Sequence, residues 1–375
     1  MRAARSLLLL LLSATAASAQ AQARSTLDIY YIDSEGGGST LFVAPSGEAA
    51  LIDSGNPGAR DLDRIVATLG EAGVREIAYL VSTHYHVDHI GGMQELAKRI
   101  PIRTYVDHGP TVETPEQVAG FQAAYAELYG KARHIVAKPG DRLPIAGLDW
   151  RIVTSGGQTI AGALPGGGQP NPLCSTFQRK ESAPTDENYH SVGSVITFGE
   201  FRTVALGDLL WDVDFGLACP TNKIGPIDVY LTTHHGLATS ASAALVHAMR
   251  PRVAVMNNGT RKGGAVETFQ TLHSSPGLED LWQLHYSFAG GVEHNSPGVF
   301  IANLDEPSVL ATVISPPPPA AAPAAGAQGG GGQGAARPGQ HNSGPAYLIK
   351  VSARADGSFT VTNTRNGFTK TYAAN

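Results

Sequence analysis

The chain reads as an α/β protein, and three observations predict it. Short apolar runs rich in Val, Ile, Leu and Tyr recur from Leu27 onward, bounded by Gly, Pro or Ser turns, as buried strands are. Stretches with helical periodicity follow such runs: Asp61–Ala72 carries Leu62, Ile65, Val66 and Leu69 on one stripe, and Met93–Ile100 follows a Gly pair. The polar residues gather where strand meets helix. Thr83-His84-Tyr85-His86-Val87-Asp88-His89-Ile90-Gly91-Gly92 sets three histidines and one carboxylate within six consecutive positions, between the apolar run Ile77–Ser82 and the second helix. A parallel sheet presents its site on loops of this kind. Neutral imidazole and ionised carboxylate are the ligands that zinc and similar borderline metals prefer.

At 375 residues there is ample material for one large domain or two small ones. Hydrophobic content of 42% is ordinary for a globular protein, and 16% charged residues is low. A net charge of -5 offers no general attraction to nucleic acid or anionic membrane, although a local basic patch would still permit nucleic acid.

The first nineteen residues have the build of a signal peptide. Arg2 and Arg5 give the positive end, Leu7 to Leu12 the apolar stretch, and Ala17-Ser18-Ala19 the small-residue cleavage site. Cleavage is expected after Ala19, or nearby at Ala21 or Ala23, with export to a periplasm or the medium. The run is too short to span a bilayer, and no other segment is long and apolar enough. The mature form is therefore expected to carry no integral membrane segment. The two cysteines, Cys174 and Cys219, would sit in an oxidising compartment, paired or free; the sequence leaves both open. Neither has a His or Cys neighbour that would suggest a thiolate metal site.

The mature chain opens with strands at Leu27–Ile32, Ser39–Val43 and Ala49–Ile52, separated by the glycine turn Gly36–Gly38 and by Pro45-Ser46-Gly47, and ends this unit at Asp53-Ser54-Gly55. After the histidine cluster, Ile102–Val106 is a strand ending at Asp107-His108. His108 is thus a candidate substrate contact or an ordinary exposed histidine. Glu116–Tyr129 has helical periodicity and carries Phe121, Tyr125 and Leu128. Two strands follow, around Leu143–Ile145 and Trp150–Thr154. Residues 155–186 turn rich in Gly, Pro and polar types, either a functional lid or a mobile insertion.

His84-x-His86-x-Asp88-His89 followed by Gly-Gly resembles the signature of the metallo-β-lactamase superfamily. The resemblance implies an αββα sandwich of two βα halves. The opening strands ending in Ile-Asp-Ser-Gly are similar to the family's N-terminal sheet, where Asp53 stands near the metal ligands. From there it would fix the tautomer of a ligating imidazole, unless it is simply a turn residue. His190-Ser191-Val192-Gly193-Ser194, a strand, a turn at Gly199-Glu200, a second strand and Gly207-Asp208 resemble the family's His-Thr-Pro-Gly-Ser to Gly-Asp segment, with Ser191-Val192 in place of Thr-Pro. That assigns His190 as a ligand and Asp208 as the bridging carboxylate. Ile227–Thr233 is the next strand, ended by His234-His235-Gly236. This ending, with Glu187-Asn188 earlier, is similar to the hydrolase domain of competence-type DNA-uptake proteins and to secreted phosphorylcholine esterases. One of the two histidines is the last ligand. His234 is favoured because it directly follows the strand, with His235 acting on substrate; the reverse stays open.

Ser240–Met249 then reads as a helix and Val253–Met256 as a strand. Arg261 and Lys262, on the loop leaving that strand, either meet an anionic substrate or belong to a solvated loop. His285 and His294 lie in an aromatic-rich segment and read as packing or rim residues. Residues 315–345 are low in complexity, dominated by Pro, Ala, Gly and Gln, and serve as a disordered linker. Residues 346–375 alternate around Asp356-Gly357, a β-hairpin expected to dock as edge strands on the main domain of residues 25–314.

The implied function is an exported metal-dependent hydrolase. His84, His86 and His190 would hold one divalent ion, and Asp88, His89 and His234 or His235 the other, with Asp208 bridging. Zinc is expected, with manganese or iron as alternatives. A water shared by two such ions becomes a hydroxide near neutrality and attacks a carbonyl or phosphoryl centre, so no protein nucleophile is needed. Catalytic roles fall on Asp88 and His235, and the substrate is a small molecule or ester, a phosphodiester by resemblance to the His-His-Gly branch. The alternatives are a mononuclear iron dioxygenase of persulfide type and a non-catalytic metal-binding relative. β-Lactams are expected to be poor substrates.

Overall fold

The computed structural model describes residues 24–113, 123–178, 180, 183–304 and 346–375. The expected signal peptide, the linker at 315–345 and the first part of the helix expected at Glu116–Tyr129 lie outside these; residues 123–129 are helical.

Two nine-stranded sheets form the centre. The first runs in space Thr369–Tyr372, Phe359–Asn363, Ile349–Ala353, Leu27–Tyr31, Thr40–Val43, Ala49–Ile52, Tyr79–Val81, Thr104–Asp107, Arg133–Val136. Its opening strands are antiparallel, and pairing becomes parallel from Ala49–Ile52 onward, where Leu51 faces Leu80 and Leu80 faces Tyr105. The second runs Ile301–Asn303, Asp280–His285, Val253–Met256, Val229–Leu231, Phe201–Ala205, Gly193–Phe198, Asp149–Ser155, Arg142–Leu143, with Gln158–Thr159 as a ninth strand paired to the end of Asp149–Ser155. It too changes from antiparallel to parallel, at the pairing of Phe201–Ala205 with Val229–Leu231. Parallel strands need crossover connections, and helices supply them. Ala59–Glu71 and Met93–Arg99 serve the first sheet; Ala243–Met249 and Val266–His273 serve the second.

Three buried clusters define four layers. One lies between the sheets and joins Phe42, Val81 and Ile349 of the first to Trp150, Val229 and Trp282 of the second. Phe42 and Trp150 meet edge to face with centroids 5.0 Å apart, and the Trp150 indole donates to Ser194 Oγ at 2.9 Å, which removes the cost of burying its N–H. A second cluster packs Leu41, Leu51 and Leu80 under Leu62, Ile65, Leu69, Met93 and Leu96. The third packs Val204, Tyr230 and Ala254 under Leu217, Leu245, Met249 and Leu272. Period-two strands with apolar residues on both faces are what such a sandwich requires, since each sheet is covered twice. The αββα arrangement is therefore observed.

The C-terminal residues add three strands rather than a two-stranded hairpin, because a further turn at Gly367 returns the chain as Thr369–Tyr372. Ile349–Ala353 pairs antiparallel with Leu27–Tyr31, so the segment does dock on the edge of the main sheet. Arg252 of the second half clamps it: the guanidinium donates to Ala373 O at 2.7 Å and lies over Phe359.

The stretch 155–186 is pinned to the body. Cys174 and Cys219 form a disulfide with Cα atoms 5.7 Å apart, and Asn171 Nδ2 donates to Ala218 O and Ala244 O. The bridge closes a sequence separation of 45 residues. On the chain-entropy account a loop of that size is worth about 4 kcal/mol. Replacing both cysteines by alanine is expected to lower the unfolding free energy toward that amount, read as a fall in the urea midpoint that added reductant reproduces in the wild type and not in the variant.

Among the described residues no helix is long and apolar enough to cross a membrane.

Candidate metal centre

The site lies where the two sheets present their strand ends to each other. Tyr79–Val81 delivers the loop with His84 and His86, whose continuation is the short helix Val87–Ile90 carrying Asp88 and His89. Phe201–Ala205 delivers Asp208, and Val229–Leu231 delivers His234 and His235. Three non-glycine residues here hold left-handed backbone: Asp53 at φ 60°, His234 at 55° and His235 at 55°. Such conformers cost about 1–3 kcal/mol each and persist where the surroundings impose them, as at functional sites. Glycine is required beside them. A Cβ on Gly38 would stand 2.6 Å from His89 Nδ1, and one on Gly207, itself at φ 59°, 2.7 Å from Thr83 Cβ.

Asp88, His89, Asp208 and His235 each bring one ligand atom to a common point, all within 4.8 Å of one another, and all four residues are buried. Asp208 Oδ2 is the hub, 3.1 Å from His235 Nε2, 3.2 Å from His89 Nε2, 3.5 Å from His234 Nε2 and 3.9 Å from His84 Nε2. Beside this group His84 Nε2 meets His86 Nδ1 at 2.9 Å.

The outer nitrogens show what the inner ones carry. Asp53 Oδ2 takes the Nδ1–H of His89 at 2.7 Å, and Asp53 is itself fixed by Thr83 N and the Thr83 hydroxyl, both at 2.8 Å. With its hydroxyl proton spent on Asp53, Thr83 Oγ1 accepts from His84 Nδ1 at 3.0 Å. His86 donates from Nε2 to Glu113 Oε1 at 2.8 Å. Assigned from these partners, the neutral tautomers of His84, His86 and His89 turn bare lone pairs inward. His89 Nε2 then faces His235 Nε2 at 3.2 Å and the carboxylates of Asp208 and Asp88. Lone pair against lone pair is repulsive unless a positive charge sits between. Asp88 Oδ1, buried, has no hydrogen-bond partner among the described residues. Imidazole nitrogens and carboxylate oxygens arranged this way are a divalent-cation donor set.

Electrostatics point the same way. Burial penalises imidazolium at His89, yet Asp208, Asp53 and Asp88 together hold its pKa well above the usual value: the point attracts positive charge. Burial, followed by the neighbouring His89 and His86 rings, keeps His84 well below it and therefore neutral. Burial draws His234 down to about 4. Burial would raise both carboxyls, but Lys262 and His89 at Asp88, and His235, His89 and His234 at Asp208, hold them well below the ordinary range, so both are ionised.

The structure disposes of the remaining residues differently from the sequence expectation. His190 is not brought to the cluster. It ends a 3₁₀ turn, Glu187–His190, and its Nε2 donates to Pro184 O at 2.7 Å. The segment serves the site through its neighbour instead, as Ser191 Oγ accepts from the backbone N–H of Asp208 at 3.2 Å. Of the histidine pair, His235 enters the four-residue group and His234 stands at its edge, with Ser240 Oγ 3.0 Å from Nδ1; this reverses the favoured order. His108 is not a free substrate contact: it is buried, and its Nε2 lies 2.8 Å from Glu187 Oε2. Lys262 reaches the site and pairs with Asp88 Oδ2 at 2.5 Å. Arg261 lies exposed with its guanidinium 4.8 Å over the Phe288 ring. His285 is buried against Asp33, 2.7 Å away, a tie between the halves.

Two carboxylates had no role assigned from the sequence. Glu113 orients His86, and Glu187, fully buried, accepts from Tyr85 N between the two histidines of the motif.

The model of the metallo-beta-lactamase superfamily matches residues 33–256, well over half of the chain. The chain belongs to the metallo-beta-lactamase superfamily. Every residue of the cluster falls inside the matched span.

Among solved structures, the chain is similar to CmlA, a diiron beta-hydroxylase from Streptomyces venezuelae, at 16% identity over 62% of this chain and 44% of that one, with a TM-score of 0.38. It is similar to a metal-dependent hydrolase of the beta-lactamase superfamily at 11% identity over 70% and 97% respectively, with a TM-score of 0.41. A metallo-beta-lactamase from Cronobacter sakazakii matches at 14% identity over 50% and 65%, with a TM-score of 0.30. The chain spans about half the length of the hydroxylase, 52% in a variant of it. No curated protein matches the sequence.

Proposed function

We propose that this superfamily member is an exported hydrolase of a phosphodiester or related ester, working with two divalent ions, zinc first and manganese or iron as alternatives. The observation that carries the reading is the convergence of Asp88, His89, Asp208 and His235 on one point, with the lone pairs of His84 and His86 directed at each other alongside. Asp88, His89 and His235 would hold one ion, His84 and His86 the other, with Asp208 between. The ions would supply Lewis acidity and an acidified water at neutral pH. The chain's own residues supply the rest. Asp53, Thr83 and Glu113 keep the tautomers that leave the inner nitrogens bare. His234, neutral at neutral pH, stands beside Asp208 and can accept a proton at Nε2. Lys262 brings a cation to the same place, suited to an anionic substrate group.

Export is supported by the Cys174–Cys219 bridge, which belongs in an oxidising compartment. Sequencing the N-terminus of protein recovered from the periplasm tests it, with cleavage near Ala19 expected.

The purified protein is expected to carry two zinc or manganese ions per chain and to hydrolyse bis(p-nitrophenyl) phosphate, while turning over a carbapenem weakly or not at all. One iron per chain with thiol-dependent oxygen uptake would replace this reading by the dioxygenase. Efficient carbapenem hydrolysis would overturn the substrate assignment.

A further inference from the structure

The imidazoles of the site are backed by unlike partners: a carboxylate for His89, a hydroxyl for His84 and hydroxyls beside His234. His86 is the one held by its Nε2, and the group that holds it, Glu113, comes from an irregular loop rather than from a strand end. A loop carboxylate positions a ligand only if the loop is itself fixed. Here it is. Glu113 N donates to Thr111 Oγ1 at 3.2 Å, while the Thr111 hydroxyl and Val112 N both donate to Glu187 Oε1, the latter at 2.7 Å. The other oxygen of Glu187 accepts from Tyr85 N at 3.0 Å and faces His108 Nε2 at 2.8 Å. One buried carboxylate thus braces at once the backbone between His84 and His86 and the loop that presents Glu113.

We propose that Glu113 is a positioning residue for metal binding at the His84–His86 pair, held in place by Glu187. By taking the Nε2–H of His86 it leaves Nδ1 bare and aimed at His84 Nε2, and its negative charge makes that nitrogen a stronger donor. The inference rests on the reading of the site as a two-ion centre and adds an asymmetry to it: Glu113 serves the His84–His86 position alone, whereas Asp53 holds His89 directly and His84 through Thr83.

The test is titration of the full mature chain, stripped of metal, with Co²⁺ and Zn²⁺ against a chromophoric chelator, following the visible bands of Co²⁺. Glu113→Ala is expected to weaken one of two binding steps by about 10–100-fold and to leave the other as it is in the wild type. Glu113→Gln keeps an acceptor oxygen for the Nε2–H but loses the charge, and should fall between. Asp53→Ala, which releases both His89 and the Thr83 hydroxyl behind His84, should by contrast weaken both steps. Wild-type affinity at both steps in Glu113→Ala, or equal weakening of both steps that glutamine does not relieve, overturns the proposal while leaving the two-ion centre standing. A wild type that binds no more than one ion overturns the centre and the proposal together.

Discussion

Asp208→Ala is expected to cost a thousandfold or more in kcat/KM on a phosphodiester, about 4 kcal/mol of barrier, and to reduce bound metal below two ions per chain. The reason is position. Its Oδ2 lies within 3.5 Å of His235, His89 and His234 and 3.9 Å from His84, so no other side chain touches both parts of the site in the same way. Together with that of Asp88, its charge makes a cation welcome among the imidazoles. Asp208→Asn should be nearly as damaging, because it preserves shape and removes the charge. The fold should survive both changes, since the backbone N–H of residue 208 keeps its bond to Ser191 Oγ. Metal content by elemental analysis, far-UV circular dichroism and diester hydrolysis belong on the same preparation. Wild-type metal content and full activity in Asp208→Ala would sink the two-ion reading.

The parts of this site that the sequence shows are those whose geometry is local. His84 to His89 lie within six consecutive positions, so a strand-to-helix loop suffices to bring them together, and Asp208 stands at the end of an apolar strand; which of His234 and His235 turns inward depends on their left-handed backbone, which the strand pattern does not encode. Glu113 and Glu187 share neither property. Each is a single glutamate in a polar stretch, and its role exists only once the loop at 111–113 packs against the turn at 187–190. His190 shows the converse. Its spacing fits the family segment, yet ring direction depends on the carbonyl of Pro184, which no local pattern encodes. His108, at a strand end beside the site, offers itself as a substrate contact or an exposed histidine; its buried partner Glu187 lies 79 residues away and no local pattern shows it.

The fold divides in the same manner. Apolar runs gave the central strands, with Val253–Met256 matching to the residue. The last strand, Thr369–Tyr372, was missed although Asn366-Gly367 is a turn signal, since its Thr and Lys residues have little apolar alternation. The helix Trp211–Ala218 also went unread, because it is short and Asp212 and Asp214 fall on opposite sides of it, which leaves no apolar stripe for periodicity to mark.

That helix carries the second large effect. Asp214→Asn is expected to stabilise the protein most above neutral pH and about a third as much at pH 5. Asp214 is completely buried; Oδ2 accepts from Ser242 N at 3.0 Å, while Oδ1 has no hydrogen-bond partner among the described residues. Burial pushes its carboxyl up to about 7, against the pull of the Ser242 backbone and side chain. In the unfolded chain an aspartate ionises near 4. Between these two pH values the folded state holds a proton that the unfolded state has released, so stability is full below about pH 4 and is lost progressively as pH rises to 7. Three pKa units correspond to about 4 kcal/mol as an order of magnitude. Asparagine cannot ionise and still offers an oxygen to Ser242 N, which caps the helix Ala243–Met249 and follows the loop with Ser240 beside His234. Urea midpoints of wild type and variant at pH 5 and pH 8 test this, because titration of every other group cancels in the difference. The gap should open from about 1.5 kcal/mol at pH 5 to about 4 kcal/mol at pH 8, in favour of the variant. A gap that is the same at both values would mean that Asp214 ionises in the folded protein as it does in the unfolded chain, and would overturn the assignment.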